Sequence, residues 1–221
     1  DLILLPSLVP HEQLALGILN PLTAWRLLND FEYLRPDDWI VQNAANSAVG
    51  TSVIQFAKRL GINVINLVRR EELRKPLNEL GAKHVFIDDE DSPVAIHDLT
   101  AGAGCRLALN SVGGRSAVRL AKSLTSGGVH VTFGAMTSEP IRFPTRNLIF
   151  DDVRFVGFWL DKWKRSRDLA ALRNAAEEVL QPLAMTEIRH PVDSTFTLDQ
   201  FSDALRRNAE PRFGKVLFAK K

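Results

Sequence analysis

Between residues 38 and 158 short apolar runs alternate with stretches whose apolar residues recur at helical spacing. Brief apolar runs bounded by turn residues read as buried strands, and a period near 3.6 reads as an amphipathic helix. The pattern predicts strands at 39–42, 62–68, 84–87, 106–110, 128–133 and 153–158. A helix is expected from Ala48, with Val49, Val53, Ile54, Ala57 and Leu60 on one face and Gly61 as its terminating glycine. A second is expected over 71–80, stopped by Gly81, and a third from Gly114 to Leu124. Ahead of the first strand, 10–30 reads as two helical segments broken at Asn20-Pro21, with Trp25, Leu27, Leu28 and Phe31 on one side. Past Trp159 the texture changes: helix over 167–180, extended chain at 187–191, helix over 197–207 with Thr197 as N-cap and Gln200 behind it, and a last strand at 214–219. Strands alternating with crossover helices imply an α/β fold, a doubly wound parallel (Rossmann) sheet.

The join between the first strand and its helix carries the first chemical signal. Asn43-Ala-Ala-Asn-Ser-Ala-Val-Gly50 is a turn of small residues opening a helix, followed by a second strand, which is the βαβ layout of dinucleotide sites. Small residues let the backbone approach a pyrophosphate, and a helix start offers free N–H groups and a positive dipole end. Asn46 and Ser47 add side-chain donors. With one glycine instead of three, the turn also has a plainer reading as an ordinary strand-to-helix connection.

The second strand ends on Arg69-Arg70. An acid there accepts hydrogen bonds from ribose hydroxyls; an arginine cannot, but pairs with a 2′-phosphate. This points to NADPH. The plainer alternative is a solvated basic start to the next helix, beside Glu71 and Glu72. Two further glycine turns follow strands on the ligand side of such sheets, Ser111-Val-Gly-Gly114 and Phe133-Gly-Ala-Met136, and either admits a nicotinamide–ribose half or simply turns the chain.

Composition narrows the field. The 221 residues carry 28 basic and 26 acidic groups, a net charge of +2, so no strong field favours nucleic acid or membrane. No apolar run approaches the ~20 residues of a spanning helix. Cys105 is the single cysteine, consistent with a reducing compartment. His11, His84, His97, His130 and His190 are scattered, without metal-ligand spacing to Cys105. His130 reads as a satisfied core histidine, Cys105 as packing, and Ser111 lacks a nucleophile-elbow context. Asp1-Leu-Ile-Leu-Leu-Pro6 is too short and lacks the basic start of a signal peptide, and reads as a chain joined mid-protein.

Taken in order, several segments resemble the zinc-free 2-enoyl thioester reductases of the medium-chain dehydrogenase/reductase superfamily, the trans-2-enoyl-CoA or enoyl-acyl-carrier-protein reductases. They are Asn20-Pro-Leu-Thr-Ala-Trp-Arg-Leu-Leu28, Gln42 to Gly50, Ile65-Asn-Leu-Val-Arg-Arg70, Leu107 to Gly114, Val131-Thr-Phe-Gly-Ala-Met136 and, most specific, Gly157-Phe-Trp-Leu-Asp-Lys-Trp163. The resemblance covers nearly the whole chain. It implies NADPH-dependent reduction of the 2,3 double bond of an enoyl thioester in fatty acid synthesis. It also implies a set of cofactor contacts: Asn20 beside the nicotinamide ribose and phosphates; Asn46, Ser47, Ala48 and Val49 as pyrophosphate loop; Arg69 and Arg70 on the 2′-phosphate. Phe133, Gly134, Ala135 and Met136 would line the path from adenosine to nicotinamide, Phe158, Trp159 and Leu160 the carboxamide, and Lys215 would reach in from the last strand.

There are departures. Phe133-Gly134-Ala135-Met136 stands where the family often has Tyr-Gly-Gly-Met, and Arg69-Arg70-Glu71 where it often has Arg-Asp-Arg. The family's N-terminal GroES-like domain, which supplies a catalytic tyrosine, has no counterpart. Tyr33 does not match that position and reads as structural.

The expected layout is a lead-in over 1–20, a cofactor domain over 21–158, and a segment over 159–221 returning toward the catalytic domain. Trp159 and Trp163 read either as core aromatics or, because Phe158-Trp159 follows a strand end facing the crevice, as an apolar wall for an acyl chain; the resemblance further implies a homodimer formed edge to edge through the 153–158 strand. The compartment is the bacterial cytoplasm or the mitochondrial matrix. Lys162, Lys164, Arg165 and Arg167 read either as a dock for acidic acyl-carrier protein or as a solvated helix start. The alternatives are a zinc-free NADPH quinone oxidoreductase, which the Gly157-Phe-Trp segment opposes, and a non-catalytic NADPH-binding module.

Overall fold

The structure, a computed structural model, describes residues 5–220; Asp1 to Leu4 of the lead-in lie outside the described residues. Six parallel strands form one sheet: β1 (Trp39–Gln42), β2 (Asn63–Val68), β3 (His84–Ile87), β4 (Cys105–Asn110), β5 (Leu124–Thr132) and β6 (Arg154–Gly157). Their spatial order is β3-β2-β1-β4-β5-β6. This is the doubly wound arrangement, and its strand order reverses between β1 and β4, where such sheets open a ligand crevice at their carboxyl ends.

Successive side chains of a strand point to opposite faces, so each strand feeds two cores. Ile40, Val64, Leu107, Leu109, Val129 and Val131 belong to one buried cluster. Val41, Ile65, Leu67 and Ala108 belong to the other. The helices are α1 (His11–Leu16), α2 (Leu19–Asn29), α3 (Ala48–Leu60), α4 (Arg74–Glu79), α5 (Ser92–Leu99), α6 (Gly114–Lys122), α7 (Thr145–Ile149), α8 (Leu160–Arg165), α9 (Leu169–Ala184) and α10 (Phe201–Ala209). α2, α3 and α9 cover the first core, where Trp25 meets Phe56 edge to face at 5.2 Å. Burying each such large apolar side chain is worth about 1.5–3 kcal/mol.

Several boundaries differ from the sequence reading. The N-terminal break falls at Gly17-Ile18 instead of Asn20-Pro21, and Pro21 sits in the first turn of α2. First-turn N–H groups have no intrahelical acceptor, so a proline costs nothing there. The 71–80 helix opens as a 3-10 turn before α4. α6 ends at Lys122, because Leu124 already pairs with Cys105 as the start of β5. α9 starts at Leu169, capped by Asp168, whose carboxylate accepts from Ala171 N at 2.8 Å, and runs past Leu180 to Ala184. Leu183 is buried, and that packing holds the last turn despite Pro182.

The C-terminal segment makes its own two-stranded parallel sheet, β7 (Val192–Phe196) with β8 (Lys215–Phe218). Pairing thus follows Pro191 and does not occupy 187–191: a proline has no N–H to give, and its carbonyl accepts from Lys215 N at 3.0 Å. Thr197 and Gln200 make the expected capping box.

Candidate functional site

The carboxyl ends of β1, β4 and β5 are tied by buried side chains. Asn43, just past β1, donates to Asn110 Oδ1 (2.8 Å) and Ser116 Oγ (2.9 Å), and its Oδ1 accepts from Ser111 N (2.8 Å). Asn110 Oδ1 also accepts from the N–H groups of Val112 and Gly113, at 3.2 and 3.1 Å. The Ser116 hydroxyl donates to Asp88 Oδ2 at 2.5 Å, and Arg119 Nε donates to Asp88 Oδ1 at 2.7 Å. Fully satisfied polar networks rigidify what they join. Here they fix the turn 43–47 and the turn 111–114 as one floor. Met136 N and Thr137 N donate to Ser111 O and Val112 O, at 3.0 and 2.9 Å, docking the β5-end turn onto it.

Above this floor α3 begins. Ser47 is its N-cap, accepting from Gly50 N at 3.1 Å. Ala48 and Val49 are the first helical residues, and their N–H groups have no i−4 carbonyl to bond. Gly50 is required by contact: a Cβ there would stand 2.6 Å from Ala45 O. Ala44 takes φ 45°, a left-handed backbone rare outside glycine.

A cleft runs across these strand ends in two adjoining parts of about 380 and 490 Å³. Asn20, Ser47, Ala48, Met136 and Lys215 border both. Asn46 and Arg69 border the first part, toward the end of β2. Val49, Phe133, Gly134, Phe158, Trp159 and Leu160 border the second. The structure therefore brings most of the expected residues, drawn from six chain segments, to one surface. It leaves two outside: Ala135 lines neither part, and Arg70 turns away to Glu72 at 3.2 Å.

Sequence reasoning missed Asp88, Thr137, His190 and Arg212, all in the first part. Arg212 lies far along the chain in a loop without a spacing signal. The polar end of an apolar strand, at Asn43 and Asn110, was the available clue to the network.

The charge balance of the cleft is positive. None of the described ion pairs includes Arg69, Arg212 or Lys215, whereas Asp88 is matched by Arg119, and Asp161 by Lys164 and Arg165. A helix start and cations outside any described ion pair make a donor set suited to phosphates, and the exposed acids just past β2, Glu71 and Glu72, are matched by Arg74 and Arg70.

Other expectations resolve individually. Burial pushes the Cys105 thiol up to about 12, which makes it inert packing. Burial also lowers His130 to about 4, although its contact with Ala117 O (3.2 Å) works the other way, so the ring is neutral. That contact makes Nε2 the donor and leaves Nδ1 without a partner, so His130 is only half satisfied. His190 is lowered to about 4, again by burial. Trp159 is 63% exposed on the cleft, but Trp163 packs on the core between the guanidinium groups of Arg26 and Arg167, at 5.4 and 5.3 Å. Tyr33 is 77% exposed, lies against Arg35 and borders neither part of the cleft. Its reading as structural thus finds no core contact behind it. Among the described residues no three His, Cys, Asp or Glu side chains gather as a metal site. No described helix is long and apolar enough to cross a membrane.

Comparison with known proteins agrees with this geometry. Residues 48–177 match the family described as zinc-binding dehydrogenase. The mitochondrial enoyl-[acyl-carrier-protein] reductase of Xenopus tropicalis is 39% identical over 219 residues, covering 96% of this chain and 63% of that protein. The chain spans about three-fifths of the length of the curated relatives it matches. Among solved structures, a putative NADPH:quinone reductase from Bacillus thuringiensis superposes with a TM-score of 0.88 at 25% identity, over 99% of this chain and 67% of that one. The 2-enoyl thioester reductase Etr1p superposes in two settings. One is the mitochondrial Etr1p/Etr2p heterodimer from Candida tropicalis (TM-score 0.77, 25% identity, 89% and 58% covered). The other is the complex of Etr1p with NADP and crotonyl-CoA (0.80, 25%, 93% and 60%). The matched residues 48–177, on a six-stranded doubly wound sheet, show that this chain belongs to the zinc-binding dehydrogenase family.

Proposed function

We propose that these residues form the NADPH-holding part of an enzyme that reduces the 2,3 double bond of trans-2-enoyl thioesters, carried on CoA or acyl-carrier protein. The observation that carries the reading is the single cleft in which the start of α3, Arg69 and Lys215 meet without a counter-charge. When bound, the nicotinamide supplies a hydride to the β-carbon of the substrate. The chain's own residues do the rest. Ala48 and Val49 offer backbone donors to the pyrophosphate, with Asn46 and Ser47 beside them. Asn20 and Lys215 hold the centre of the cofactor, where both parts of the cleft meet. Phe133, Gly134 and Met136 shape the path between its two ends. Phe158, Trp159 and Leu160 face the nicotinamide end, and the exposed Trp159 ring gives an acyl chain an apolar wall that excludes water.

Enolate character developing on the thioester oxygen calls for a donor there. No tyrosine borders the cleft. The role read for these residues is to bind and orient.

Overall shape favours the quinone reductases, at a TM-score of 0.88 against 0.80. The 39% identity over 96% of the chain outweighs it, because one backbone frame serves many substrates. The protein pairs with a second copy through the exposed edge of β6, and the matrix agrees with the mitochondrial names of its relatives.

The test loads the chain with NADPH and adds crotonyl-CoA or a benzoquinone. Saturable binding of crotonyl-CoA, read by cofactor fluorescence, with slow turnover is expected. Rapid NADPH oxidation by the quinone, with no response to crotonyl-CoA, overturns the assignment.

A further inference from the structure

Two arginines end β2, yet the structure commits only one of them to the cleft. Arg70 is held by Glu72 at 3.2 Å and lines neither part. A lone Arg69 presents a single exposed guanidinium to a dianionic group, where fork-like recognition from two sides is the stronger arrangement. The lining of the same part includes a second arginine, Arg212, from the loop 211–214 just ahead of β8.

We propose that Arg212, and not Arg70, completes the 2′-phosphate site with Arg69, so that this loop sets the preference for NADPH over NADH. The inference rests on the NADPH reading above and names the residue that makes it selective.

Three observations carry it. First, the loop is anchored at the right place. Phe213, next to Arg212, packs on the cluster of Val68, Leu73, Leu77 and Val85, which lies under the end of β2 and α4. Gly214 allows the tight approach behind it: its φ is 102°, and a Cβ would stand 2.8 Å from Pro191 O. Second, the guanidinium of Arg212 is under-used. Its Nε is buried without a hydrogen-bond partner, and Nη2 donates only to the neutral Asn208 Oδ1, at 2.6 Å. A buried polar group left unpaired costs free energy, more so on a charged group, and a bound anion removes that cost. Third, no acid claims it. Asp193 senses Arg212, but both its oxygens are already gripped by Arg207, at 2.8 and 2.6 Å. Asp88, the acid in the same part of the cleft, is matched by Arg119.

The experiment measures dissociation constants of NADPH and NADH for the wild-type chain, Arg212→Gln, Arg212→Lys and Arg70→Gln at one ionic strength. Arg212→Gln is expected to weaken NADPH about tenfold or more, the scale of one charge-assisted bond, and to leave NADH within about twofold. Arg212→Lys keeps a point charge without the fork and falls between. Arg70→Gln leaves both affinities within about twofold. NADH affinity doubles as the check that the cleft is folded. An Arg212→Gln chain that keeps its NADPH preference, or loses both cofactors by equal factors, overturns the inference while leaving the cofactor reading standing. A wild-type chain that binds neither cofactor, or both alike, overturns that reading itself, and the inference with it.

Discussion

At Gly50 the site and the fold depend on the same atoms. The chain reverses so tightly between β1 and α3 that a methyl group at 50 would enter the backbone of Ala45, at 2.6–2.8 Å from three of its atoms. Backbone cannot yield as a side-chain end does. Gly50→Ala is expected to lower stability by about 1–3 kcal/mol, the usual cost of overpacking, and to weaken NADPH and NADH together, since it shifts the N–H groups of Ala48 and Val49. Urea unfolding with both titrations checks this; unchanged stability would mean the turn is looser than described. Single residues also show where sequence reading ran out. The Arg69-Arg70 pair was visible as a phosphate signal, but which of the two turns inward depends on Glu72, a local competition that a one-dimensional pattern does not encode. Arg212 was invisible for a different reason. Its neighbour Phe213 brings it to the end of β2 through tertiary packing alone.

Among the elements, those with strong periodicity were legible. α3 begins at Ala48 and ends at a left-handed Gly61 as its pattern implied, and the six strands fall within a few residues of their expected places. Misplaced boundaries have separate causes: Pro21 was taken as a break yet sits where its missing N–H does not matter, α9 is extended past Leu180 by packing, and α6 stops early because β5 already begins at Leu124. β6 is an edge strand, as read, with Val156 exposed and Ile149 and Phe150 exposed just before it. An open edge with apolar side chains invites pairing with another chain. Sedimentation of the wild-type chain at micromolar concentration is expected to give a dimer, and Val156→Lys, which sets charge on that edge, a monomer. A monomeric wild type contradicts edge-to-edge pairing.

For the molecule as a whole, the six-stranded sheet is a scaffold whose strand ends gather residues from distant segments, and the polar network of Asn43, Asn110, Ser116, Asp88 and Arg119 makes that end stiff. In the proposed reading, cations outside any described ion pair suit the crevice to phosphates: donors from α3 toward a pyrophosphate, and an arginine where an NAD site carries an acid. The account stands or falls on this cofactor assignment, and the most direct measurement is a paired titration of the chain with NADPH and NADH at the same pH and salt. NADPH is expected to bind at least tenfold tighter, and that preference to shrink in Arg69→Ala while NADH affinity holds. Equal affinity for the two cofactors, or a preference undiminished by loss of Arg69, would contradict the NADPH assignment.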